Sequence, residues 1–173
     1  VYLFGSRSTM AKDINVSGLT ADNDFSSPDG MWFSQAASGL VWLQTDDGKI
    51  TDVTNCMMLA GLPGQVGDGA KRPITNISAD GATTKTQDTI VGAAPTSSTL
   101  RRFLVGPVAC EITGIAESGD GKAIFVNIQH PGEDGTSATD PTKFGSHWPD
   151  GGTARPRSAT IVITKDDGGR IGA

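Results

Sequence analysis

The sequence predicts a mainly β protein, and three observations support that fold class. No segment keeps the 3.6-residue apolar period of an amphipathic helix. Glycine accounts for 23 and proline for 9 of the 173 residues, which is typical of a chain with many turns. Short apolar runs end at Gly, Asp or Pro, as strands of antiparallel sheets do. We therefore expect a single β region over residues 1–173.

Short apolar or alternating runs define the predicted strands, which are residues 2–5, 31–34, 40–45, 50–53, 56–62, 101–105, 111–116, 123–128 and 158–164. Tight turns are predicted at "DDGK" (46–49) and "GDGK" (119–122), because Asp and Gly tolerate a positive φ angle. Residues 64–99 contain few large apolar side chains. They are predicted to form an insertion loop with at most weak strands, such as residues 90–91.

Charge and cysteine usage exclude several classes of function. The net charge of −5 argues against binding to a nucleic-acid backbone, and it suits hard cations such as Ca²⁺ as well as ordinary solubility. No apolar run is long enough for a membrane span. Cys56 and Cys110 lack zinc-site spacing and lie in apolar surroundings, which indicates buried thiols, although a disulfide stays open.

An internal repeat organises the chain. Residues 27–48 align with residues 109–130, so that Asp29 corresponds to Glu111 and Trp42 corresponds to Phe125. Each copy contains an acid, a strand, a glycine turn, an apolar strand and a polar end, and each is followed by a further strand. The first copy is also followed by a fourth strand. Four antiparallel strands per unit are typical of a propeller blade, so the repeat predicts a partial propeller of about two blades.

The repeat also predicts where the two aligned acids lie. The first strand of each blade lines the central channel of a propeller, so Asp29 and Glu111 would converge at one channel mouth. Carboxylates that meet repel one another unless a cation joins them. The alternative is that both are exposed turn acids that never meet.

Six segments together resemble the C-terminal portion of PhoX-type bacterial alkaline phosphatases. They are "SPDGMWF", "LVWLQTDDG", "RRFLVGPVACEITG", "FVNIQHPGE", "SHWPDGG" and "RPRSATIVITKDDGGRIG". The resemblance implies a six-bladed propeller that is exported, hence a periplasmic or secreted location. It also implies hydrolysis of phosphomonoesters at a cluster of Ca²⁺ and Fe³⁺ that carboxylates and a cysteine hold.

The family's metal ligands transfer to this chain only where residues match. Asp29 and Glu111 match the acids that begin blades and are the predicted metal ligands. The second choices are residues at the ends of second strands, namely Glu133, His130, Asp46 and Asp47. No residue matches the family's cluster cysteine, and no catalytic residue is assigned. Cys110 directly precedes Glu111, so strand alternation turns it to the opposite face and predicts a core position.

The role of two arginines is not defined by the sequence. Arg155 and Arg157 alternate in "RPRS" and therefore share one side of an extended segment. The commoner fate for such a pair is a salt-bridged loop, and the alternative is contact with an anion.

The leading prediction is the C-terminal part of a metal-dependent phosphomonoesterase. The chain begins within a predicted strand and without Met, so we expect a longer parent whose N-terminal blades complete the site. Alone, it would be inactive. The alternatives are a non-enzymatic β module that binds calcium or a partner, and a propeller hydrolase acting on another ester. Two blades leave strand edges exposed, which favours a homo-oligomer.

Overall fold

A computed structural model of the chain describes residues 1–47 and 54–173. In these residues, antiparallel sheets account for the regular structure, with only two single-turn 3₁₀ segments beside them. The strands are β1 (Pro28–Phe33), β2 (Val41–Thr45), β3 (Met57–Gly61), β4 (Asp68–Ile77), β5 (Thr84–Gly92), β6 (Leu100–Val105), β7 (Glu111–Glu117), β8 (Ala123–Gln129) and β9 (Ala159–Thr164). The prediction of a mainly β chain is confirmed.

The strands form three sheets. The first has the order β1-β2-β3-β6, the second is the β4-β5 hairpin, and the third has the order β7-β8-β9. The hairpin lies between β3 and β6 in sequence, although those two strands pair directly with each other. The first sheet therefore has four antiparallel strands and the third has three, in agreement with the unequal copies of the repeat.

Most predicted strands agree with the structure to within a few residues, but residues 2–5 do not form a strand. The segment makes only an isolated bridge, between Ser6 and Phe25. The backbone hydrogen bonds of the N-terminal residues go to several partners and do not form one strand ladder. Phe4 N donates to Ser17 Oγ, and Val1 pairs with the end of β5. The strand predicted at residues 50–53 and part of the 46–49 turn lie outside the described residues.

The prediction of a loop over residues 64–99 was wrong about its structure. Strands β4 and β5 pair from Ile77↔Thr84 at the tip to Asp68↔Gly92 at the base. Both strands are largely exposed, so neither needs an apolar face. The absence of apolar alternation therefore did not indicate the absence of strands. Threonine favours strands because its branched Cβ suits the pleated backbone. Thr75 and Thr86, for example, are cross-strand partners whose hydroxyls are hydrogen-bonded at 2.8 Å.

The main core lies between the first and third sheets. Its buried members come from both sheets and include Trp42, Met58, Ile112, Ile124 and Val126. A second core covers the other face of the first sheet, where Met57 and Leu59 pack with Leu19 and Phe25 of the N-terminal segment. Strand β3 is therefore buried on both faces, since successive side chains point to opposite sides of a strand.

Glu117 joins the two sheets through its carboxylate. It accepts hydrogen bonds from Gln35 N at 2.6 Å and Ala36 N at 3.2 Å, and from Trp42 Nε1 at 3.1 Å. Partial burial favours the protonated acid, but these bonds and one from Ser34 outweigh it and lower the pKa of Glu117. The carboxylate thus fixes the first sheet against the end of β7.

This network predicts a pH-dependent contribution to stability. The pKa of Glu117 lies below its usual 4.5 in the folded chain, so its contribution is present above pH 4.5 and is lost as pH falls through the lower folded value. Glu117→Gln should therefore reduce the free energy of unfolding more at pH 7 than at pH 3. Urea unfolding at both pH values measures the difference. An equal loss at both would contradict an ionised Glu117 in this network.

Candidate metal site

The two copies of the repeat enter their first strands in the same strained way. Ser27 and Ala109 have φ angles of 45° and 47°, in the left-handed region that residues with a side chain seldom adopt. Each precedes its strand-start acid, Asp29 or Glu111, by two residues. The repeat therefore includes a shared backbone turn as well as shared residue types.

The second strands of the two copies also end in the same way. Asp46 N donates to Ser27 O at 3.1 Å, and Glu133 N donates to Ala109 O at 3.2 Å. The backbone of an acid is thus attached to the strained residue in each copy. We call Asp29, Asp46, Glu111 and Glu133 the acidic edge.

Asp29 and Glu111 meet across the two sheets, although 82 positions separate them. The pKa of Glu111 is raised by partial burial, by a hydrogen bond that the protonated Glu111 carboxyl donates to Asp29, and by the charges of Asp46 and Asp29. Asp29 and Glu111 are thus neighbours, while their convergence at the mouth of a propeller channel stays a prediction. Negative charge is therefore crowded at this edge.

His130 lies between two acids of the edge. Its Nε2 is 3.4 Å from Glu111 Oε2, and its Nδ1 is 3.1 Å from Glu133 Oε2. The Nδ1 atom is buried, and the contact with Glu133 lacks hydrogen-bond geometry, so this atom has no hydrogen-bond partner among the described residues. His130 also has a φ angle of 35°, and its backbone N donates to Ser158 Oγ at 2.9 Å. The strained backbone is held by β-sheet neighbours and aims the ring at the acids.

A cleft of about 270 Å³ opens beside the acidic edge. Its walls include Asp46, Asp47, Cys56, Cys110, Glu133 and Asp134. Asp47 is buried and accepts from Ser26 Oγ at 2.5 Å, so it has a structural bond of its own. Both cysteines are buried free thiols. Burial and the neighbouring Cys56 raise the pKa of Cys110 to about 12, which keeps the thiol protonated and suits the core position expected for it.

The donors of the acidic edge do not make a complete metal site by themselves. Within residues 1–47 and 54–173, no group of three or more His, Cys, Asp or Glu side chains is arranged to hold a metal ion. The observed contacts are pairwise, with Glu111 central to them. The structure thus places the four carboxylates of the acidic edge and His130 near one another, with Asp47 in the wall of the adjoining cleft, while their role as ligands remains a prediction.

Sequence patterns did not predict two features near this edge, the positive φ angles before the two strands and the position of the His130 ring. Neither Ser27 nor Ala109 belongs to the residue types that favour a positive φ angle, and their alignment with each other was the only available hint. The position of the His130 ring between two acids depends on the turn after β8, which the sequence pattern does not define.

Residues 1–132 match the family described as "Alkaline phosphatase PhoX". This chain belongs to the PhoX alkaline phosphatase family. The match includes residues 1–26, which precede the first of the six segments. The PhoX resemblance noted from six segments is thus confirmed.

A solved structure from this family is similar over almost the whole chain. It is Pseudomonas fluorescens PhoX in complex with vanadate, a transition state analogue, with a TM-score of 0.64 and 31% sequence identity. The alignment covers 99% of this chain and 23% of the Pseudomonas chain. No curated protein matches the sequence. In the described part of the chain, no helix is long and apolar enough to cross a membrane.

Proposed function

We propose that this chain is part of a longer, metal-dependent phosphomonoesterase and supplies carboxylate ligands to its metal centre. Asp29 and Glu111 are the principal ligands, with Glu133, Asp46 and His130 beside them. The observation that supports this most is the meeting of Asp29 and Glu111, which raises the pKa of Glu111. Membership of the PhoX family and the 23% coverage of the Pseudomonas chain support the enzyme class and the longer parent.

The residues of the acidic edge fit the Ca²⁺ and Fe³⁺ that the family implies. Carboxylate oxygens are the preferred ligands of hard cations, and a cation at this edge would relieve the repulsion between Asp29 and Glu111. The ring nitrogen of His130 that lacks a hydrogen bond is a further donor. When bound, such metals neutralise phosphate charge and activate an oxygen nucleophile.

The residues of this chain would act by holding and orienting. Asp29 and Glu111 fix positions at the edge, so they act neither as general acid nor as general base. His130 contacts both Glu111 and Glu133 and thereby restricts their orientations. The remaining ligands and the catalytic groups belong to other parts of the parent protein.

The sheets suggest how the chain fits into that parent. The β1-β2-β3-β6 sheet would be one propeller blade, and the β7-β8-β9 sheet would be a second blade with three of its strands. The rest of a six-bladed propeller would pack against them. In isolation, the free edges would favour a homo-oligomer, for which light scattering is the test. A periplasmic or secreted location is part of the same proposal.

Hydrolysis of an aryl phosphate by the full-length protein tests this function. Turnover at alkaline pH with Ca²⁺, loss with a chelator and inhibition by vanadate are expected. Calcium binding without turnover under any metal condition would contradict the enzyme and favour the calcium-binding module. Turnover of a lactone or carboxylic ester in place of phosphate would favour the related hydrolase.

The isolated chain should be inactive. No group of three or more of its described donors is arranged to hold a metal ion, so we expect it to bind metal weakly and to give no aryl phosphate turnover above a heat-treated control. The full-length protein assayed at the same molar concentration is the positive control. Metal-dependent turnover by the isolated chain would show that these residues suffice.

A further inference from the structure

A second cleft lies beside the acidic edge and differs from it in charge. It encloses about 230 Å³ between the turn after β8 and the loop that leads to β9. Its walls include His130, Glu133, Ser137, Phe144, Arg155 and Ser158. We call it the Arg155 cleft. It therefore combines a cation, hydroxyl groups and an aromatic ring.

The two arginines of this loop have different surroundings. Arg157 is ion-paired with Asp150 through its Nη2. Arg155 lines the cleft and makes no hydrogen bond or ion pair within the part of the chain that the structure describes. The sequence favoured a salt-bridged loop for the pair and left contact with an anion as the alternative. The structure gives that role to Arg157 and leaves the five donors of Arg155 available at the cleft.

Internal hydrogen bonds give the loop around Arg155 a defined shape. His147 Nδ1 lies 2.9 Å from Ala154 O, directly before Arg155. Gly151 N donates to His147 O at 2.7 Å, and Arg157 N donates to Trp148 O at 3.1 Å. Both sides of Arg155 are therefore attached to the same loop, which reduces the entropy lost when the guanidinium binds a ligand.

The cleft touches the acidic edge at one end only. Glu133 belongs to both and His130, which contacts two of the edge's acids, lines the cleft, whereas Asp29, Asp46 and Glu111 do not line it. If the phosphoryl group lies at the acidic edge, as the proposed function requires, the Arg155 cleft receives the group attached to it. That group is the leaving alcohol of the phosphomonoester.

We propose that Arg155 is a specificity residue that binds an anionic group on the leaving alcohol, such as a carboxylate or a second phosphate. A guanidinium presents a planar fork that matches both of these anions. Glu133 opposes an anion in this cleft, but its carboxylate lies 3.1 Å from the His130 ring, and its charge would be neutralised as a metal ligand. This proposal rests on the proposed phosphatase function.

Two substrates that differ only at the leaving group test the proposal. Glycerol 3-phosphate carries a hydroxymethyl group where 3-phosphoglycerate carries a carboxylate. In the full-length protein, Arg155→Ala should lower kcat/KM for 3-phosphoglycerate by about 10- to 100-fold, mainly through KM, because a charge-assisted hydrogen bond is lost. For glycerol 3-phosphate the change should stay within about threefold. Arg157→Ala is the matched control and should leave the ratio of the two values unchanged.

The other outcomes overturn the proposal or separate it from the phosphatase function. Equal losses on both substrates, no loss on either, or wild-type turnover of glycerol 3-phosphate alone would overturn it. If the wild-type protein hydrolyses neither compound, calorimetric titration with 3-phosphoglycerate decides the matter. Binding that Arg155→Ala weakens would keep the cleft assignment, and the aryl phosphate assay decides the phosphatase function separately. Absent or unaltered binding would overturn the assignment of Arg155.

Discussion

Replacing Glu111 by Gln in the full-length protein is expected to lower kcat/KM for an aryl phosphate by about 100-fold or more. Substitutions that only perturb the surroundings of metal ligands commonly cost about 10- to 100-fold, and Glu111 is proposed as a ligand itself. Glutamine keeps the size of the side chain but removes the charge that would attract the cation. Steady-state kinetics with saturating Ca²⁺ measures the effect.

Asp29→Asn should have an effect of similar size, and the two substitutions should not be additive. Both carboxylates would hold the same metal centre, so removing the second adds little after the first has been lost. Asp166→Asn is the matched control, because this exposed carboxylate follows β9, outside the acidic edge. Near wild-type activity in Glu111→Gln, or an equal loss in Asp166→Asn, would contradict the proposed role.

Trp42→Ala is expected to lower the free energy of unfolding by about 3–5 kcal/mol, the usual cost of removing a large buried aromatic side chain. Trp42 is only 1% exposed and packs in the core between the first and third sheets. Its ring lies 4.7 Å from that of Phe103, and its Nε1 donates to Glu117. The substitution therefore leaves a cavity and removes one of the bonds that join the sheets. Urea unfolding of the chain measures the loss.

Trp32→Ala is the control for the core position of Trp42. The two tryptophans are cross-strand partners on β1 and β2, but Trp32 is 37% exposed. We expect its removal to cost about 1 kcal/mol, as for a partly exposed residue. Equal losses for the two variants would mean that the core does not lie between these sheets.

The strands of the first and third sheets could be predicted because each has a buried face. Strand β8, for example, alternates buried Ile124, Val126 and Ile128 with exposed neighbours. The β4-β5 hairpin could not be predicted in this way, because its pairing is stabilised by backbone bonds between two exposed strands. Residues 2–5 were predicted as a strand because their side chains are apolar. Leu3 packs against the second core, but the backbone hydrogen bonds of this segment do not form a strand ladder.

The acidic edge was predictable in part. The repeat aligned Asp29 with Glu111 and, through the propeller interpretation, predicted that they meet, with two exposed turn acids as the alternative. It gave no information on how His130 contacts Glu111 and Glu133, which depends on a strained turn. The different surroundings of Arg155 and Arg157 were equally hidden, since period-two spacing treats them as equivalent.

Metal content tests the central claim most directly. The full-length protein and its Asp29→Asn/Glu111→Gln variant would be purified in parallel, and calcium and iron per chain would be measured by atomic emission. The account predicts stoichiometric metal in the wild-type protein and the loss of at least one ion in the variant. An unchanged metal content in the folded variant would mean that Asp29 and Glu111 are structural acids, and it would contradict the proposed site.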